Sequence, residues 1–225
     1  AQTVADNYKG LEILLTDPER CLTLIQKQFE QAQDADAKLI FASILCILGD
    51  KNGSATVSDS VKSHLKWDKG WHYTGMHQFG MSLSPLDALI MALGKTKEQS
   101  VLPVILEKAQ LLAPEDYFSH FRAISMATED IGSPKAVPQL AKMLTTPGVR
   151  FHAIRTYREA QSSVVPGDID TSTRNLALKE LHLARALYLC GDQNGIGQQV
   201  LEQYAKGLQG HYARYAYEVL NSKSS

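Results

Sequence analysis

Apolar residues recur along this chain at spacings of three and four, and the segments that carry them are separated by short turns rich in Gly, Pro, Asp and Ser. That period gathers the apolar side chains of each segment on one side of a helix. It predicts a short amphipathic helix over 7–15. A longer one over 18–33 opens with Asp17 as N-cap and Pro18 at the first position, with Cys21, Leu22, Ile25 and Phe29 on one face. The segment 35–48 is apolar nearly all round and is expected to lie between other helices, whereas Val57, Val61 and Leu65 mark a shorter, more polar helix over 54–65. Ser84-Pro85-Leu86-Asp87 is a start signal for a helix whose stripe is Leu86, Leu89, Ile90 and Leu93 and whose stop is Gly94. Helices are predicted over 98–112, 114–129, 136–144, 149–160, 174–190, 196–208 and 211–220. The stretch 162–172, SSVVPGDIDTS, reads as a loop, and 222–225 as a frayed tail. No segment alternates with the period of two that a half-buried strand requires, so the chain is expected to be all-α, with about a dozen helices.

The punctuation repeats. Leu48-Gly49-Asp50-Lys51-Asn52-Gly53 returns as Cys190-Gly191-Asp192-Gln193-Asn194-Gly195, with Leu93-Gly94 and Ile131-Gly132 as weaker copies. The intervals of roughly 40 to 60 residues bracket the period of HEAT and armadillo arrays, in which each helical hairpin buries its apolar face by stacking on the next. Leu140-x-x-Met143-Leu144, then Thr146-Pro147-Gly148-Val149-Arg150-x-x-Ala153, matches the habit of such units of opening a first helix with Val-Arg-x-x-Ala. On these residues the chain resembles a HEAT-like repeat protein. The resemblance implies an α-α superhelix of about six HEAT-like hairpins, an armadillo-type fold filling 1–225 as a single helical-repeat domain.

One stretch departs from the scaffold. Between 67 and 80 fall Trp67, Trp71, Tyr73 and Phe79, with His72, His77, Gln78 and three glycines, so 67–83 is expected to be an insert between two helices of the array. The favoured reading of its aromatic residues is a plug packed over the gap between repeats. The alternative is a surface for a ligand or partner, since aromatic side chains with convergent polar groups make binding hot spots. The string Gly70-Trp71-x-Tyr73-x-Gly75-Met76-x-Gln78-Phe79-Gly80-Met81-Ser82-Leu83-Ser84, followed by Leu86-Asp87-x-Leu89-Ile90, is similar to one in the helical C-terminal region of bacterial FAD-dependent oxidoreductases. That resemblance implies flavin chemistry in a part of the protein upstream of this chain. No strand followed by G-x-G-x-x-G occurs here, so no cofactor is expected on this chain alone.

Charge and composition narrow the remaining readings. Lys and Arg number 23 against 24 Asp and Glu, so no global field attracts nucleic acid or an anionic membrane. No apolar run approaches the roughly 20 residues that span a bilayer. Cys21, Cys46 and Cys190 sit in apolar helical pattern and are expected to be buried free thiols. The start at Ala1 without a Met fits either an exported protein that has lost its signal or a piece of a longer one.

Chemical candidates are sparse. His72 and His77 lack the third and fourth ligands of a metal site, and no His-Glu pair occurs. His120, Arg122, His152 and Arg155, with Tyr157 and Arg158, fall on neighbouring predicted helices and form a candidate groove. Its basic residues alternate with acids, so a role like that of the HEAT-like DNA glycosylases is a minor alternative. No nucleophile and base stand at an informative spacing, so no catalytic residue is assigned. The expectation is a non-catalytic interaction or accessory domain that meets a protein partner or an adjacent domain. Its alternative is a small enzyme that uses a groove of the array.

Overall fold

The computed structural model describes residues 16–73, 83–163 and 171–222, which form eleven α-helices and no strand. They are α1 (Pro18–Gln31), α2 (Ala35–Ile47), α3 (Ser54–Ser63), α4 (Pro85–Lys95), α5 (Leu102–Ala109), α6 (Phe118–Ile131), α7 (Val137–Thr145), α8 (Tyr157–Ser162), α9 (Ser172–Cys190), α10 (Ile196–Ala205) and α11 (Gly210–Asn221). The all-α class therefore stands. No helix among the described residues is long and apolar enough to cross a membrane. The helix expected over 7–15 and most of the loop expected over 162–172 lie outside the described residues.

The helices form two rows. α2, α4, α6 and α9 lie side by side as a central row, with α1 against α2 at one end and α11 beyond α9 at the other. Helices α3, α5 and α7 lie along the edge of that row, α3 against both α2 and α4, α5 on α6 and α7 on α9, while α10 packs between α9 and α11. The continuous core runs from Ala42 and Cys46 through Leu86, Ile90, Phe121 and Ile124 to Leu181, Leu187 and Leu201. Packing of the central row is closest where α4 crosses α6. A Cβ on Gly94 would stand 2.5 Å from the Ala127 Cα. Gly94, expected to stop its helix, is instead a helical residue whose missing side chain lets two backbones approach, and α4 continues to Lys95.

The repeated Gly-Asp turns act as the sequence implies. Gly49 and Gly191 take positive φ, +82° and +128°, which reverses the chain at the helix end. Asp50 accepts from the Asn52 amide at 2.7 Å, and Asp192 accepts from the Gly197 and Gln198 amides, both at 2.9 Å, which caps α10. None of the three cysteines is in a disulfide; Cys46 and Cys190 are buried, while Cys21 is half-buried.

Two predicted helices begin elsewhere. The segment 149–156 is not helical, although Val149-Arg150-x-x-Ala153 was expected to open a helix over 149–160; only α8 forms in that span. The cause is remote. The fully buried Glu180 carboxylate accepts from the Phe151 and His152 amides, each at 2.9 Å, and from the Tyr204 hydroxyl at 2.8 Å. It holds Phe151 at φ +76°, outside the helical region. The helix expected from 114 starts instead at Phe118, because 113–117 is a turn that Lys179 clamps by donating from Nζ to the Pro114 and Asp116 carbonyls.

Candidate functional site

Helix α6 has no side-chain cap of its own, which leaves its first amide groups to find partners elsewhere. They find them in the strap 67–73, the described part of the aromatic insert. The Phe118 amide donates to His72 Nδ1 at 3.2 Å and the Ser119 amide to the Trp71 carbonyl at 3.1 Å, while the Trp71 amide donates back to Ser119 Oγ at 2.9 Å. The same strap serves the helices on either side. Asp68 Oδ2 accepts from the Leu86 amide in the first turn of α4 at 3.1 Å. At its far end the Tyr73 amide donates to Asn175 Oδ1 at 2.8 Å, and the Tyr73 carbonyl accepts from Asn175 Nδ2 and Thr171 Oγ1, at the start of α9. The strap thus ties together the N-terminal ends of three successive central helices. Caps of this kind contribute on the order of 1 kcal/mol each.

Beneath the strap lies a sealed polar pair. Asp87 Oδ1 is 2.7 Å from His120 Nδ1, and both side chains are essentially inaccessible, at 0% and 1% exposure. Asp87 also completes the capping box of α4 through the Ser84 amide, at 2.9 Å. Burial pushes the Asp87 carboxyl up, but hydrogen bonds from His120, Ser119 and Ser84 outweigh it and hold the group below the ordinary carboxylate range. The Trp67 ring stacks on His120 with centroids 4.3 Å apart, and the Trp67 indole donates to the Lys108 carbonyl at 3.2 Å. His120 Nε2 has no hydrogen-bond partner. An Asp-His pair is the usual equipment of general base catalysis. This one is closed off by Trp67 and Gly70. Burial, with the nearby Lys179 and His120, also pushes the His72 imidazole down.

Gly70 sets how tightly the strap lies. A Cβ there would fall 2.4 Å from the Tyr117 Cβ and 2.6 Å from the His120 ring, so Gly70→Ala has to lift the strap. The expected loss is about 2 kcal/mol, the usual scale of overpacking, read as a lower denaturation midpoint together with a red-shifted Trp emission. An unchanged midpoint and spectrum would show that the strap contributes little.

Beside the strap, a cleft of about 350 Å³ opens between α6 and α9. Arg122, Met126 and Glu129 come from one face of α6, Leu178, His182 and Arg185 from one face of α9, and Tyr215 from α11; Tyr73 and Phe118 close the strap end. Arg185 pairs with Glu129 through Nη2 and donates from Nη1 to the Tyr215 hydroxyl at 3.1 Å, while its Nε is buried without a partner. Burial pushes the His182 imidazole down to about 3, helped by the charges of Arg122 and Arg185, so it is neutral at physiological pH.

The residues expected to share one groove are dispersed. His120 is buried under the strap, Arg122 lines the cleft just described, and His152 and Arg155 line a separate hollow with Phe151 and Glu159. They part because 149–156 is pulled out of helix by Glu180. His77, Gln78 and Phe79 lie outside the described residues. Trp67, Trp71, His72 and Tyr73 do come together, as packing and capping groups. Asp87, Ser119, Asn175, His182 and Arg185 are site residues that sequence patterning missed; the available signal was a polar residue interrupting an apolar stripe, as His182 does between Leu178 and Ala186. Among the described residues no group of three or more His, Cys, Asp and Glu side chains is placed to hold a metal ion. No family model matches the chain, and no match was found among curated proteins or solved structures.

Proposed function

We propose that the chain is a non-catalytic, HEAT-like helical accessory domain that works beside a partner domain, the flavin-binding part of an FAD-dependent oxidoreductase. What carries the reading is the use to which the aromatic strap is put. The pair best suited to proton transfer, Asp87 and His120, is sealed beneath Trp67 and Gly70 and has no route to a substrate. The strap residues Trp71 and His72 spend their polar groups on the start of α6. Rigidity of this kind suits a platform that holds the insert against a neighbour. The similarity of 70–84 to a string in FAD-dependent oxidoreductases supplies the identity of that neighbour.

The test joins the coding sequence upstream of Ala1 to a binding measurement. The expected outcome is an in-frame dinucleotide-binding fingerprint upstream, a purified chain that retains no flavin, and a 1:1 complex with the separately expressed upstream part by calorimetry. Trp71→Ala should weaken that complex about tenfold, in line with the loss of an aromatic anchor. A start codon and signal peptide directly before Ala1 would overturn the oxidoreductase assignment. Turnover of any flavin-dependent substrate by the chain alone would overturn the non-catalytic one.

A further inference from the structure

The wall of the cleft between α6 and α9 carries charge and hydrogen-bonding groups, and only the second are left unspent. Its charged residues Arg122, Arg185, Glu129 and Asp130 sum to zero. Arg185 is paired with Glu129, Asp130 with Lys95 at 2.9 Å, and Arg122 has an interaction of its own. A ligand with a net charge of either sign would give up its hydration here without meeting an uncommitted counter-charge. An uncharged ligand meets no such cost.

The unspent hydrogen-bonding capacity lies on α9. His182 and Arg185 stand three residues apart, which puts them side by side on one face of that helix, and both line the cleft. The half-buried His182 ring lies between Phe118 and Tyr215, at centroid distances of 5.7 and 6.2 Å, and makes no hydrogen bond among the described residues. Because it is neutral, one of its nitrogens is an acceptor. Arg185 spends Nη2 on Glu129 and Nη1 on Tyr215, while its Nε is a donor without a partner. An acceptor and a donor side by side match a primary carboxamide, in which an N–H and a C=O share one carbon. The rings of Phe118, Tyr215 and Tyr73 give a flat apolar body a place to stack, and the Arg174 guanidinium, 3.4 Å from its centroid, holds the Tyr73 ring. The volume, about 350 Å³, falls in the lower part of the range for small-molecule sites.

We propose that this cleft binds a small uncharged aromatic carboxamide, its N–H donating to His182, its carbonyl accepting from Arg185 and its ring enclosed by Phe118, Tyr215 and Tyr73. A turn of the Arg185 side chain toward the carbonyl gives the orphaned Nε its partner. The site stands apart from the accessory-domain reading, because a domain without chemistry can hold or lack such a ligand and the measurement needs only this chain.

Benzamide and phenylacetamide are the probes for calorimetry and thermal shift on the purified chain. Benzoate and benzylamine are controls that change the charge, and cyclohexanecarboxamide is the control that removes the aromatic ring. A saturable 1:1 isotherm and a dose-dependent rise in melting temperature are expected for at least one of the two amides, with all three controls at least tenfold weaker. His182→Phe, which keeps a ring and removes both nitrogens, should weaken binding about tenfold, the scale of one lost hydrogen-bonding partner. Met126→Trp, which fills the cleft, should abolish it. Absence of saturable binding by both amides overturns the proposal, as does a control that binds as tightly as they do. Undiminished binding by a folded His182→Phe, or binding that survives Met126→Trp, overturns it as well; if His182→Phe does not fold, Met126→Trp and the controls decide.

Discussion

Replacing Glu180 with Ala is expected to lower the stability of the protein by about 4 kcal/mol, a drop of roughly 10 °C in melting temperature for a domain of this size. The carboxylate is fully buried and answers three donors at once: the Phe151 and His152 amides and the Tyr204 hydroxyl. Removing it takes their partner from two part-buried amides and takes from the buried Tyr204 hydroxyl the shorter of its two hydrogen bonds, the other running to the Ala177 carbonyl, and each such loss costs about 1 to 3 kcal/mol. Glu180→Gln should recover only part of the loss, because an amide nitrogen turned toward an amide proton repels it. Thermal unfolding checks the magnitude, and hydrogen exchange at residues 151 and 152 checks the cause: both amides should lose protection in Glu180→Ala. A variant with unchanged melting temperature and unchanged protection would mean that the turn 149–156 holds its shape by other means.

The second large effect is expected at Asp87. Asp87→Ala removes the acceptor for His120 Nδ1, for the Ser84 amide and for Ser119 in one change, and it leaves an imidazole buried with neither ring nitrogen partnered. The loss should again be about 4 kcal/mol, the scale for removing one member of a buried polar pair. Its pH dependence follows from the lowered carboxyl pKa. The hydrogen bonds that Asp87 accepts favour its ionised form in the fold, so its contribution is complete above the ordinary value of 3.8 and is lost as the pH falls through the lower folded-state value. The gap between wild type and Asp87→Ala, measured by urea denaturation, should be constant near neutrality and should close on acidification. A gap that widened on acidification would contradict this account of the pair.

These two residues also mark where the sequence was legible and where it was not. Ser84-Pro85-Leu86-Asp87 identified the start of α4 because every group in that cap lies within four residues of the others, and Gly49-Asp50 and Gly191-Asp192 announced their turns for the same reason. The class, the order of the helices and most of their cores follow from such local signals. The start of α6 does not, since its amides are satisfied by Trp71 and His72, 46 to 48 residues away. Nor does the unwinding of 149–156, which is imposed by a carboxylate 28 to 29 residues downstream. Both errors fell where a remote polar group overrode local propensity. The cleft was missed for a related reason: Arg122 was singled out, but its companions His182 and Arg185 come to face it only once α6 and α9 lie side by side.

The offset between the two rows bears on how this chain can be divided. Because α3 lies against both α2 and α4, α5 on α6 and α7 on α9, a cut just before α4, α6 or α9 parts an edge helix from a central helix that it packs on. A fragment ending after α5 would retain that helix without the one it lies against, and its complement would start with an uncovered α6. Shortened versions made for expression or fusion should therefore be planned from the far side of each overlap, keeping an edge helix together with the central helix that follows it.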